Sequence, residues 1–512
     1  MSDPAASDGP PTDTTGGENT GRVLVLALVA ALGGFLFGFD SGVINGTVDA
    51  LQQAFDSDEV GTGFNVASML LGCAAGAFFA GSLADRFGRR PVMLATACAF
   101  IVSAWGSGMS GLVMDLWPGL TGDPTVVGSV EFVFFRIIGG FAVGAASILA
   151  PAYISEIAPA RIRGRLTSLQ QLMIVLGLFM AFVSNYFIAQ AAGSASETLF
   201  WGYDAWRWMY WVEILPASLF LIGLLFIPES PRYLVGAGRE REAQSVLATI
   251  IRPGAVSDRI QEIRATVERA TKPSLRDLVS DRTGWFYPIV WAGLGLAVLQ
   301  QFTGINVVFY YGAVLWQAAG FTEAGALLTN VTSGAINIAF TFVAIWLVDK
   351  IGRKPLLLGG ALGQAVMLGI MALAFGLAGE GDAETLELSG VGAAAALIAA
   401  HLYIAFFAAT WGPIMWVMLG EMFPNRFRGA ALAVCGLAQW GANFTITMTF
   451  PVLLSSIGLG LSYALYAFFG LVAYIFVRRV IQETKGRTLE DMSREHDERV
   501  AAEAAEQKAA DR

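Results

Sequence analysis

The sequence predicts an all-α membrane protein: twelve transmembrane helices in two six-helix bundles, joined by a cytoplasmic helical middle loop. Three observations predict it. Of 512 residues, 55% are hydrophobic and 14% charged, whereas soluble domains carry about 25% charged residues. The apolar residues gather in long uninterrupted runs, unlike the short alternating segments of a membrane β-barrel. Two charged motifs also recur at nearly one offset. "DRFGRRP" (85–91) is echoed by "DKIGRKP" (349–355), and "SEIAPARIRG" (155–164) by "GEMFPNRFRG" (420–429), 264 and 265 residues apart. Such a repeat implies two parallel-related halves with a substrate site between them near the midplane.

Residues 1–22 hold Ser, Asp, Gly, Pro and Thr with almost no basic residues and read as a disordered cytoplasmic tail. They lack the basic start and apolar core of a signal peptide. Residues 23–227 form the N-terminal bundle, with apolar runs at about 23–50, 62–84, 91–113, 128–152, 166–191 and 208–227. The polar stretch 228–285 is the middle loop. Residues 286–478 form the C-terminal bundle, with runs at 286–316, 326–348, 355–378, 391–419, 429–451 and 459–478. Residues 479–512 are a second cytoplasmic tail.

Orientation follows from the basic residues. The turns holding Arg86, Arg89 and Arg90, then Arg161, Arg163 and Arg165, then Lys350, Arg353 and Lys354, then Arg426 and Arg428 all fall on one side with the middle loop. Of the alternate loops only 192–207 holds a basic residue, Arg207. Both termini and the middle loop are therefore expected in the cytoplasm, and the chain as a multi-pass protein of the plasma or inner membrane.

The basic turns also suggest gating. In "GSLADRFGRRP", Gly81 would let helices approach, Asp85 can take an Arg or a helix N-terminus, and Gly88 permits a tight turn. Asp349 and Arg353 repeat Asp85 and Arg89 in the second half. Glu156, Arg163, Glu213, Glu421 and Arg428 are expected at cytoplasmic helix ends, where acids and bases of opposite bundles would form a latch that breaks when that face opens.

Neutral hydrogen-bonding side chains punctuate the apolar helices: Gln170, Gln171, Gln300, Gln301, Asn306, Asn337, Gln439 and Asn443, with Tyr310, Tyr311, Trp416 and Trp440 beside them. Amides offer donors and acceptors together, as a neutral polyhydroxylated ligand needs, and indole faces can pack on a sugar ring. Any one amide can instead bind helix to helix; the spread of the whole set, aromatics included, over five spans favours a polar cavity. No cluster of buried basic residues invites an anion.

Two lone charges remain. Asp40 closes the first apolar run, and Arg136 interrupts the fourth, both in the N-terminal half. A charge in hydrocarbon is costly without a partner, so the two are expected to pair.

Taken together, "GGFLFGFDSGVINGT", "RIIGGFAVGAASILAPAYISEIAPARIRG", "PESPRYL", "QQFTGINVVFYY", "GPIMWVMLGEMFPNRFRG" and "QETKGRTLEDM" resemble the sugar porter family of the major facilitator superfamily over about residues 23–492. The resemblance is to bacterial proton-coupled xylose and hexose symporters more than to animal facilitative carriers. It implies the major facilitator fold. It also implies sugar contacts at Gln171, Gln300, Gln301, Asn306, Asn337, Trp416 and Gln439, with Gly412 and Trp440 lining the same region. Symporters of the family have Asp and Arg at the Asp40 and Arg136 positions, which implies proton coupling there; a permanent Asp–Arg staple is the plainer alternative. Phe39, Leu178 and Gln482 depart from the family pattern.

The expected function is proton-coupled monosaccharide symport, of a hexose or pentose, by alternating access. Alternatives are a facilitative uniporter of the same fold, against which Asp40 argues, and a non-transporting sugar sensor, against which the short C-terminal tail argues. Partners are the sugar, the proton and the bilayer, with the chain working as a monomer; the acidic balance of −9 disfavours nucleic acid. No cofactor is expected. Cys73, Cys98 and Cys435 lie singly in apolar runs without metal-ligand or disulfide spacing. His401, also alone in an apolar helix, is a packed polar residue or a proton relay. No nucleophile–base pair or phosphate loop indicates an enzyme.

Overall fold

The computed structural model describes residues 19–112, 123–269, 275–280, 284–380, 386–387, 390–424 and 426–485. Eleven helical stretches within these are long and apolar enough to cross a membrane, and the last, Arg428–Val480, has 53 residues. That is enough for two spans, and Gly458 (φ 75°, ψ 174°) breaks it between them. The count of twelve therefore stands.

In chain order the spans are Thr20–Val43, Glu59–Phe87, Arg89–Met109, Pro124–Ile157, Ala160–Ala192 and the broken pair Ala205–Trp211 and Ile214–Phe226. After the middle-loop helices Pro231–Gly236, Glu240–Leu247 and Val256–Arg269 the second half follows. Its seventh span is broken into Pro288–Phe302, Ile305–Tyr310 and Gly312–Ala318, and the eighth and ninth are Glu323–Ile351 and Arg353–Gly376. The tenth is Gly390–Ala409 with Trp411–Met422, and the last two share Arg428–Val480. Short polar side chains start several of these helices. Asp58 Oδ1 accepts from Gly61 N at 2.7 Å, and Thr322 Oγ1 from Gly325 N at 3.2 Å, each satisfying a backbone donor the helix leaves open.

Without a hydrophobic drive between helices in lipid, close backbone approach holds the bundle. The second and fourth spans interlock through glycines: a side chain at Gly140 would lie 1.9 Å from the Met69 carbonyl oxygen, and one at Gly72 2.1 Å from that of Ile137. Spans one and five meet in the same way at Gly38 and Gly177. This packing brings Asp40 and Arg136 together in the N-terminal half.

The repeated basic turns are built alike. Gly88 (φ 101°) and Gly352 (φ 104°) join spans two to three and eight to nine in a backbone shape that side chains rarely adopt. Each helix start after them is capped by a carboxylate from the end of its own half. Glu229 accepts from the Arg89 and Arg90 N–H groups, and Glu483 from those of Arg353 and Lys354. Burial raises the Glu483 pKa, but four backbone N–H groups outweigh it and hold the carboxyl below the usual range. Gln482, where the family pattern has Pro, leaves this cap intact. A Cβ at Gly88 would lie 2.3 Å from Glu229 Oε2. Gly88→Ala is therefore expected to cost about 1–3 kcal/mol from backbone strain alone, read as a lower melting temperature in detergent. An unchanged midpoint would contradict the cap.

Candidate functional site

Three groups of residues matter: the turns on the basic face, a chain of amides at the seam, and a buried charge cluster inside the N-terminal half.

At the turns, Arg89 grips Glu156 with two bonds (Nε–Oε2 3.1 Å, Nη2–Oε1 3.0 Å) and also bonds Asp85 at 3.1 Å. Arg353 repeats this with Glu421 (2.8 Å) and Asp349 (3.4 Å). Arg428 donates to the Phe423 carbonyl at 3.0 Å. Every one of these bonds joins residues of the same half. Spans two and four, and eight and ten, carry acid and base into mutual reach, so in this state the charges stiffen each half; none of these bonds is the expected latch between bundles, which would form only with this face shut. In this state a side chain at Gly81 would meet nothing within 4 Å among the described residues, so the close approach expected there is not made with this face open. The side chain of Arg163 lies outside the described residues.

Glu213, expected at a cytoplasmic helix end, is corrected by the structure. It lies at the break in span six, 1% exposed, with its carboxyl within hydrogen-bonding reach of Asp40. Span six starts on the face opposite the basic turns, so its early residues sit deep in the half and away from those turns.

Asp40 is 1% exposed and Arg136 is fully buried. Arg136 Nη1 donates to Asp40 Oδ1, Nη2 bonds the Asp40 carbonyl oxygen at 3.4 Å, and the guanidinium carbon stands 5.6 Å from the Tyr210 ring centre. Asp40 Oδ2 and Glu213 Oε2 have no donor. Two carboxyls thus stand beside one guanidinium in a buried core. Phe39 stacks on Phe35, and Leu178 packs against Gly42 of span one.

At the seam, four amides form a relay. Asn306 donates to Gln301 Oε1, and Gln301 to Gln300 Oε1 at 3.0 Å. Gln439 also donates to Gln300 Oε1 at 3.3 Å, while Gln300 Nε2 bonds the Trp411 carbonyl at 2.9 Å and that of Gly412 at 3.5 Å. The helix break at Gly304 (φ 82°) turns Asn306 back toward the glutamines. Gly412, Trp416 and Gly420 share one face of span ten at spacings of four, and Trp416 is 40% exposed. Trp440 crosses the seam to Phe37, ring centres 5.9 Å apart. Asn337 is 6% exposed and Gln171 is half-buried; among the described residues no hydrogen bond ties either to the relay. The structure therefore joins Gln300, Gln301, Asn306, Gln439 and Gly412 directly and leaves Gln171, Asn337 and Trp416 apart from them.

Inter-half hydrogen bonds run through Asn45, Asp49 and Ala195, on the face opposite the basic turns. On the basic side of the relay, a side chain at Gly436, one turn from Trp440, would meet nothing within 4 Å. His401 is satisfied, with Thr332 Oγ1 at 2.8 Å and the Leu397 carbonyl at 2.7 Å. Among the described residues no group of His, Cys, Asp and Glu could hold a metal.

A family profile described as "Sugar (and other) transporter" matches residues 26–496. The chain is 50% identical over 475 residues to the glucose transport protein of Synechocystis sp., covering 93% of this chain and 97% of that one. To the D-xylose-proton symporter of Escherichia coli K12 it is 39% identical over 490 residues, covering 93% and 96%. The partially occluded inward-open structure of the E. coli xylose transporter XylE matches with a TM-score of 0.78 at 37% identity, covering 91% of this chain and all of that one.

Proposed function

This chain belongs to the sugar transporter family of the major facilitator superfamily, and from that premise we propose that it carries a monosaccharide together with a proton by alternating access. The basic face is cytoplasmic on this reading, both termini lie inside, and the inter-half bonds at Asn45 and Asp49 together with the exposed Trp416 support an inward-open state.

The observation that carries the proton role is the cluster of two carboxyls and one guanidinium. Burying both carboxyls as ions would leave an uncompensated negative charge in a low-dielectric core, at a cost of several kcal/mol. One resident proton cancels it. An O–H on Glu213 Oε2 donating to Asp40 Oδ2 would also give both oxygens the hydrogen-bond partner they lack. Asp40 then stays ionised against Arg136, and the cluster is neutral.

The transported proton is a second one, taken up by Asp40 from outside. It releases Arg136, whose guanidinium has the Tyr210 ring as a second partner. Spans one and four are no longer tied by charge and can shift around a bound sugar. Inside, water reaches the cluster, Asp40 gives up its proton, and the ion pair returns. The empty carrier travels back neutral.

Sugar hydroxyls would replace bonds within the amide relay. Gln300 and Gln301 each have donors and acceptors to exchange, the Gln439 Oε1 has no donor, and Trp416 and Trp440 offer indole faces. Asn337 and Gln171 would close on the sugar from spans eight and five. The chemistry suits a neutral hexose or pentose.

Uptake into reconstituted vesicles tests this reading. Acid outside should concentrate labelled glucose or xylose inside, and unlabelled monosaccharides should compete in an order that reports the true substrate. Equilibration without concentration, gradient or not, would make the carrier a uniporter.

A further inference from the structure

The seam opposite the basic turns is closed by polar groups that the mechanism has not used. Asn45 Nδ2 donates to the Phe309 carbonyl at 2.9 Å, and Asn45 Oδ1 accepts from Ala313 N at 3.2 Å and from Asn330. Beside this neutral clasp stand two carboxylates from opposite halves. Asp49, in the short helix Val48–Phe55 after span one, accepts from Gln317 Nε2 at 2.6 Å. Glu323, in the first turn of span eight, accepts from Ala195 N at 2.8 Å. Each acid therefore reaches across the seam, and the charged group facing Asp49 is the other one, Glu323.

We propose that Asp49 is a second proton-responsive carboxylate of the cycle, one that holds the external seam shut when protonated. The proposal rests on the alternating-access and orientation reading above, but not on Asp40 as the coupling site. Its logic is linkage. When the halves part outside, Asp49 leaves Gln317 and Glu323 and stands in water as an ordinary carboxylate. When they close, it is partly buried and faces a like charge. Burial first, and then Glu323, push its pKa up in the closed state, with the Gln317 bond opposing them. A group that binds protons more tightly when closed stabilises the closed state as pH falls through its raised pKa, and that stabilisation is lost as pH rises. Acid outside would then load the coupling site and also favour the closure that follows loading.

Spin labels at exposed Thr198 and Ser456, one in each half, would read the seam by their separation, in a chain whose exposed Cys98 is replaced by Ser. The parent for the test is Asp40→Asn, which removes the titration of that residue; Glu213 remains in every variant compared. The short-distance fraction should rise as pH falls from 8 to 5. Adding Asp49→Asn, which keeps a hydrogen-bonding partner for Gln317 and removes the charge, should leave the seam mostly closed and flatten the curve. Adding Glu323→Gln instead should move the midpoint to lower pH, because the like charge is gone. A curve already flat in the parent, or one unmoved by Asp49→Asn, overturns the proposal. Uphill sugar uptake by the Asp40→Asn chain would refute the coupling role of Asp40 and leave this measurement intact.

Discussion

Asp40→Asn is expected to abolish uphill sugar accumulation while exchange of labelled for unlabelled sugar continues within a few-fold of the native rate. In the native chain a pH gradient of one unit, with one proton per sugar, can drive about tenfold accumulation, because one pH unit and one decade of concentration are the same 1.4 kcal/mol. The Asn side chain has nearly the shape of Asp and no charge to titrate. Glu213, already within reach of position 40, can ionise and balance Arg136. The cluster is then neutral without a cycling proton, so the carrier rocks with its sugar and ignores the gradient, and the accumulation ratio falls to about one. Vesicle uptake with acid outside, beside counterflow exchange on the same preparation, measures both halves of the claim. Concentration surviving in the variant would place the coupling elsewhere.

The architecture was legible because membrane helices leave a coarse record. Length, apolar runs, basic turns and the 264-residue repeat together define twelve spans in two halves, and the merged final helix differs only in its break at Gly458. Asp40 and Arg136 were legible as lone charges, since hydrocarbon tolerates such groups only in company. Glu213 carried the same signal, a single acid in "WVEILP", and was misplaced to a cytoplasmic end although its run starts on the other face. The partner choices at the basic turns were not legible. Whether Arg89 meets Glu156 of its own half or an acid of the other depends on how closely spans two and four pack at Gly72 and Gly140, and on which face of the carrier is open. The seam opposite the basic turns had no signature either. Asn45, Asp49, Gln317 and Glu323 are ordinary polar residues near run ends, brought together only by docking of the halves. The amide relay stands between these cases: its members were named one by one, but their order follows from the backbone break at Gly304.

Charge counting in the cluster separates two substitutions that look alike. Glu213→Gln should keep proton-driven accumulation, because Gln Nε2 can donate to Asp40 Oδ2 as the protonated acid does, and the Asp40–Arg136 pair still opens and closes. Combining it with Asp40→Asn should be severe. Arg136 would then be a fully buried cation with no carboxylate beside it, and stranding a buried charge costs about 3–5 kcal/mol, a large part of the stability of most domains. The double variant is expected to reach the membrane poorly and to unfold at a much lower temperature in detergent, while each single variant folds. Replacing Arg136 by Met as well removes the stranded charge and should restore folding without restoring coupling. This triple variant separates the two roles of the guanidinium, neutralising a carboxylate and releasing it. If the double variant proves as stable as the native chain, Arg136 is not held by these carboxyls, and the resident proton has no purpose.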